Sequence, residues 1–71
     1  MKITPAQRSM LQFMLDAEKD GMTTLRPVHK ANLQTHDALV RKGLVHEHEP
    51  DEHGFVNTTM TEEGRRRINA G

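Results

Sequence analysis

No cysteine occurs among the 71 residues. That excludes disulfides and thiolate metal sites, and it fits a reducing compartment. Tryptophan and tyrosine are missing too, and there are only two phenylalanines, so an interior must be assembled from Leu, Val, Ile, Ala and five methionines. No apolar run approaches the roughly 20 residues that span a bilayer, and the first residues, Met1 to Pro5, lack the apolar stretch of a secretory leader. The expected location is the cytoplasm. The chain has no phosphate-cradling glycine loop and no nucleophile elbow, and its length leaves little room for a deep pocket. The expectation is a non-enzymatic protein without a cofactor.

What remains is material for one small domain, residues 1–71, near the lower limit for independent folding. A core this size leaves roughly 3–5 kcal/mol of net stability, so a dimer contact or a bound partner would reinforce it. Formal net charge is zero, but the charge is segregated. Residues 1–46 carry seven Lys/Arg against four carboxylates, residues 47–63 carry six carboxylates and no base, and residues 64–71 carry three arginines. A global balance of zero therefore still allows a local basic face.

Thr4, Pro5 and Gln7 form a helix start: Thr4 caps, Pro5 suits the first helical position and Gln7 completes a capping box. Ala6, Met10, Phe13, Met14 and Ala17 make one apolar stripe, widened by Leu11 and Leu15, and Asp20-Gly21 ends the helix. The expected helix covers 5–19. Pro27 forbids an ordinary helix interior around it. The expectation there is a short strand or turn at 22–26, a brief helix at about 27–31 and a bend near Asn32.

A second helix then starts between Leu33 and Thr35 and runs to Lys42, where Gly43 can take the left-handed conformation that closes it. Thr35, Ala38, Leu39 and Lys42 share one face at three- and four-residue steps, and Thr35, Ala38, Leu39 and Leu44 are its expected core contacts. Leu44–His48 and Phe55–Met60 read as the strands of a hairpin around a turn-rich loop. Thr61 caps a last helix, Glu62 and Glu63 favour its first turn and Ile68 anchors it. The fold class is α+β, mainly α.

Three pieces of this order resemble the winged helix-turn-helix superfamily, in particular small MarR-like bacterial or phage regulators. They are the opening helix with Met10, Leu11 and Met14, the segment Ala38–Val45 with its Leu39-x-x-Lys42-Gly43-Leu44-Val45 pattern, and Met60-Thr61-Glu62-Glu63-Gly64-Arg65 after the hairpin. The resemblance implies a minimal winged helix with a C-terminal hairpin wing and a short terminal helix. It further implies a DNA-binding transcriptional regulator that reads the major groove of double-stranded DNA with the helix at about 33–42. Asn32, Gln34, His36, Asp37, Val40 and Arg41 would then be the base readers, with Arg26, Lys30 and Lys42 on phosphates. The plainer alternative is the polar side of an amphipathic helix. Arg65, Arg66 and Arg67 would contact phosphate or an acidic partner, or would simply oppose the dipole of the last helix and offset Glu62 and Glu63.

The hairpin loop points elsewhere. Glu47, Glu49, Asp51 and Glu52 would repel a phosphate backbone, so the second reading is a protein-interaction module that offers these carboxylates to a basic partner. A homodimer or a cooperative assembly on DNA is expected under the first reading, because one short helix reads few base pairs, and the Met/Leu stripe of the first helix is the natural place for the extra apolar contact. His46 and His48 share a strand face and, with His53, have the residue type for a metal, but no compact ligand cluster joins them. No metal site is assigned.

Overall fold

In the computed structural model, which describes residues 2–70, each element begins and ends on a local chemical signal. Helix α1 (Pro5–Lys19) starts at Thr4, whose Oγ1 accepts from the Gln7 N–H at 3.1 Å while Gln7 Oε1 accepts from the Thr4 N–H at 3.1 Å. It stops at Gly21, where φ is 75°. The Gly21 N–H donates to Glu18 O and the Met22 N–H to Ala17 O, so the last carbonyls are satisfied by a Schellman pair. Helix α2 (Lys30–Arg41) ends the same way: Gly43 has φ 75°, its N–H reaches Val40 O, and the Leu44 N–H reaches Leu39 O at 3.0 Å.

The strands are short. β1 (Thr24–Leu25), β2 (Val45–Glu47) and β3 (Asn57–Met60) form an antiparallel sheet in the order β1-β3-β2, with Thr24 opposite Thr58 and Val45 opposite Met60. Helix α3 (Glu62–Asn69) follows β3 directly. The result is an α+β arrangement of three helices and one three-stranded sheet, mostly helical, and no helix among the described residues is long and apolar enough to cross a membrane. The core is Leu11, Met14, Leu39, Leu44, Val45, Met60 and Ile68, flanked by Ile3, Met10, Leu15 and Val40.

Three expectations need correction. The brief helix at 27–31 and the bend near Asn32 are absent. Pro27 and Val28 stay non-helical, His29 is extended at ψ 135°, and α2 runs unbroken from Lys30 because no glycine or proline interrupts it. The α1 stripe is also displaced: Leu11 and Met14 are buried with Gln7, whereas Ala6 is exposed and Phe13 is 66% exposed. Neighbouring elements cover the Leu11 line of the helix and leave the side next to β1 open. On α2 the buried line is His36 and Leu39, with Thr35 and Ala38 only half-buried beside it.

Backbone approaches backbone closely where α3 meets the end of α2. The Thr61 N–H donates to Leu44 O at 3.1 Å, Thr61 Oγ1 donates to Gly43 O at 2.7 Å, and the same oxygen accepts the Gly64 N–H at 3.1 Å. Gly64 lies so close that an added Cβ would run into the Leu44 carbonyl oxygen and would meet Met60 Cγ at 2.7 Å. Backbone cannot yield as a flexible side-chain end can. Gly64→Ala is therefore expected to lose about 1–3 kcal/mol despite alanine's better helix propensity. Glu62→Ala, two residues earlier at an exposed position, should stay within about 0.5 kcal/mol of the parent when both variants are compared by urea unfolding.

Candidate functional site

Because α2 buries His36 and Leu39, its opposite side is formed by residues at the complementary helical phase. Lys30, Gln34 and Arg41 form that outward line; all three are exposed and make no side-chain hydrogen bond or ion pair among the described residues. The start of the helix is equally open. His29 supplies no side-chain cap, and there is no carboxylate in the first turn, so the first backbone N–H groups and the positive end of the dipole face outward uncompensated.

The other expected readers are placed differently. Val40 packs against the core, and Asn32 lies on the groove side of α2 rather than on its outer line. His36 is not on the surface at all: its side chain is 2% exposed, and Nε2 lies 2.8 Å from Glu47 Oε1. That bond requires the ring proton on Nε2. Arg26, just past β1, donates from Nε to the same Glu47 oxygen at 3.2 Å and places Nη2 3.9 Å from Asp37 Oδ1. One cluster thus joins the sheet edge, the helix and the hairpin, and it commits both carboxylates nearest the outward face of α2.

The remaining expected cations are mostly engaged within the fold. Lys42 Nζ donates to Lys2 O at 3.0 Å and Gln7 Oε1 at 2.8 Å, clasping the end of α2 to the start of α1. Arg65 Nη2 reaches both Glu18 oxygens at 2.9 and 2.8 Å, and Arg66 pairs with Glu63 at 3.2 Å. The acidic loop is partly internal as well. Glu47 points to His36, and Asp51 Oδ1 accepts from the His53 and Phe55 N–H groups at 2.8 and 3.0 Å, which shapes the turn. Glu49 and Glu52 are left on the surface, with Glu52 beside His53 at 3.6 Å.

For a metal, the converging donors are His36, Asp37 and Glu47, whose ligand atoms lie within 4.8 Å of one another. The guanidinium of Arg26 already bridges both carboxylates, so a metal cation would compete with it for them. His46 and His48 stack edge to face at 4.5 Å, and His48 Nε2 lies 2.8 Å from Thr59 Oγ1, so these rings are occupied with each other and with β3.

A groove of about 520 Å³ opens between α1, β1 and α2, walled by Met10, Phe13, Met14, Leu25 and Pro27, with His36 and Thr58 among its lining. The sequence pattern does not disclose it, because it arises where two apolar stripes fail to meet. His36 had one legible signal: it precedes Leu39 by three residues, the spacing of a shared buried face.

Removing the Glu47 carboxylate would leave a fully buried imidazole without its partner, a loss of about 1–3 kcal/mol. Glu47→Ala should show that loss in equilibrium unfolding, whereas Glu47→Gln, which keeps an accepting oxygen for His36, should lose less than half as much. Comparison with protein-family models, with curated proteins and with solved structures finds no match to this chain.

Proposed function

We propose that this chain is a sequence-specific DNA-binding regulator built on a minimal winged-helix plan, with α2 entering the major groove. The plan is supported by the element order and by β1 pairing with the returning strand of the hairpin. A single helix stands where the helix-turn-helix would supply two. The observation that carries the reading is the outward line of Lys30, Gln34 and Arg41 on α2, exposed and unpaired, while Arg26 and His36 hold the neighbouring carboxylates Asp37 and Glu47. A net positive face results on a chain whose total charge is zero.

The chemistry fits bases and phosphates. Gln34 can pair in bidentate fashion with adenine and Arg41 with guanine. Lys30 and the uncapped N–H groups at the start of α2 suit a phosphate oxygen. Arg26, His36 and Lys42 act in this reading as supports that fix α2, whereas Arg65 and Arg66 are paired with Glu18 and Glu63.

A second reading rests on Glu49 and Glu52, which face solvent at the hairpin tip and could receive a basic protein surface. A pull-down with Glu49→Gln/Glu52→Gln separates it; an unchanged partner set counts against it. Asp51 should be spared, because its carboxylate builds the turn.

For the DNA reading, retardation of mixed genomic DNA should appear at low salt and weaken with a log–log slope of about −2 to −3, corresponding to two or three neutralised phosphates. Gln34→Ala with Arg41→Ala should remove sequence preference by tenfold or more, given about 1–3 kcal/mol per lost bidentate contact, without shifting the unfolding midpoint. Absence of retardation at low salt would end this reading.

A further inference from the structure

Among the described residues, His36, Asp37 and Glu47 are the one group of three imidazole and carboxylate side chains that converges. None of them is a freely solvated surface group: the His36 side chain is 2% exposed, Glu47 32% and Asp37 42%. Two elements hold the donors in place. His36 lies on the buried face of α2 with Leu39, and Glu47 is fixed in β2 by its pairing with β3 opposite Thr58. Nε2 of His36 already stands 2.8 Å from Glu47 Oε1.

Arg26 faces the same carboxylates, but it is loosely held. Its Nη2 lies 3.9 Å from Asp37 Oδ1, and its side chain is 43% exposed. Ion pairs this exposed contribute little to stability, so exchanging the guanidinium for another cation costs the fold little. Two carboxylates also face that single guanidinium, and a divalent ion matches their charge where one guanidinium does not.

We infer that this joint between α2 and β2 is a binding site for a divalent transition ion of the zinc type. The ion takes the place of the Arg26 guanidinium between Glu47 and Asp37 and draws its nitrogen ligand from His36 Nε2. The donor set selects the ion. An imidazole beside two carboxylates suits Zn²⁺, Co²⁺ or Ni²⁺, whereas Ca²⁺ and Mg²⁺ take oxygen shells and Cu⁺ selects sulfur. Ligand atoms on one tetrahedral zinc stand about 3.3 Å apart. Nε2 and Oε1 therefore part slightly, and Asp37, half-exposed, turns in from a separation of at most 4.8 Å. The ring then carries its proton on Nδ1 instead of Nε2. Three protein ligands leave a fourth position to water. Both carboxylates stay compensated after the exchange, and Arg26 is released as a surface cation beside α2.

This inference rests on neither the DNA nor the protein reading and is tested on the full chain with the metal alone. The visible absorption of four-coordinate Co²⁺ is titrated up to millimolar ion, with Zn²⁺ added afterwards as a competitor. The background is His46→Ala/His48→Ala, which removes the exposed imidazole pair and should leave the signal intact. One Co²⁺ per chain should bind, and Zn²⁺ should displace it. Asp37→Asn or His36→Gln should weaken binding by at least about tenfold. Arg26→Gln should tighten it severalfold, a gain that a merely structural role for the cluster does not produce. Asp37 and Arg26 are both partly exposed, so their variants decide the matter even if the buried His36 variant fails to fold; far-UV spectra check that they do fold. No four-coordinate Co²⁺ signal at millimolar ion overturns the inference. So does a signal that disappears with His46 and His48, or binding that Arg26→Gln leaves unchanged or weakens.

Discussion

The Leu44 carbonyl oxygen is the point at which this fold is tied together. It accepts the Thr61 N–H, it lies against Gly64, and it belongs to a residue whose own side chain is fully buried. The left-handed turn at Gly43 puts it there by ending α2 and starting β2 within two residues. Thr61 then completes the joint by hydrogen bonding both to Gly43 and to the first turn of α3. The orientation of α3, the origin of the hairpin and the end of α2 are therefore set by a few backbone groups rather than by a large apolar interface. In a chain with so small a core, such directional contacts determine more of the geometry than burial alone can, because burial is non-directional.

A second tie, His36 to Glu47 to Arg26, works at the other side of the hairpin. It converts an acidic strand residue that would oppose an anionic ligand into an internal acceptor, and it turns Arg26 from a surface cation into a bracket between the sheet edge and α2. The electrostatic character of the outward face of α2 follows from this arrangement. Along the chain Arg26 and Asp37 are both expected DNA contacts; in the fold Arg26 lies between Glu47 and Asp37, and Lys30 and Arg41 make no ion pair among the described residues. Fixed charges brought together inside a fold lose their reach in solvent, whereas those left at the surface keep it within a screening length.

The legible part of this chain was the part governed by near neighbours. The Thr4 and Gln7 capping box, the glycine stops at Gly21 and Gly43, the Thr61 cap and the burial of Leu39, Leu44 and Ile68 all follow from three- and four-residue spacings or from residue type. Pro27 implies a short helix before a bend, yet in the fold it only delays the start of one continuous helix. The candidate site was less legible. Gln34, Lys30 and Arg41 stand on the surface as their polarity implies, but His36, Lys42 and Arg65 have the same polarity and are engaged inside or across the fold.

By itself, then, the sequence determined where α1 and α3 start, where α1 and α2 stop, that Leu39, Leu44 and Ile68 enter the core and that a hairpin separates α2 from α3, since caps, left-handed glycines and periodic apolar positions act over a few residues. The tertiary structure alone decided which of the polar residues face outward, that Glu47 turns in to His36, that Gly64 must lack a side chain, and that Phe13 and Leu25 remain uncovered beside a groove. Those outcomes depend on partners 11 to 47 positions apart in the chain, as between His36 and Glu47 or Glu18 and Arg65. Side-chain polarity carries no record of whether such a distant partner will be present.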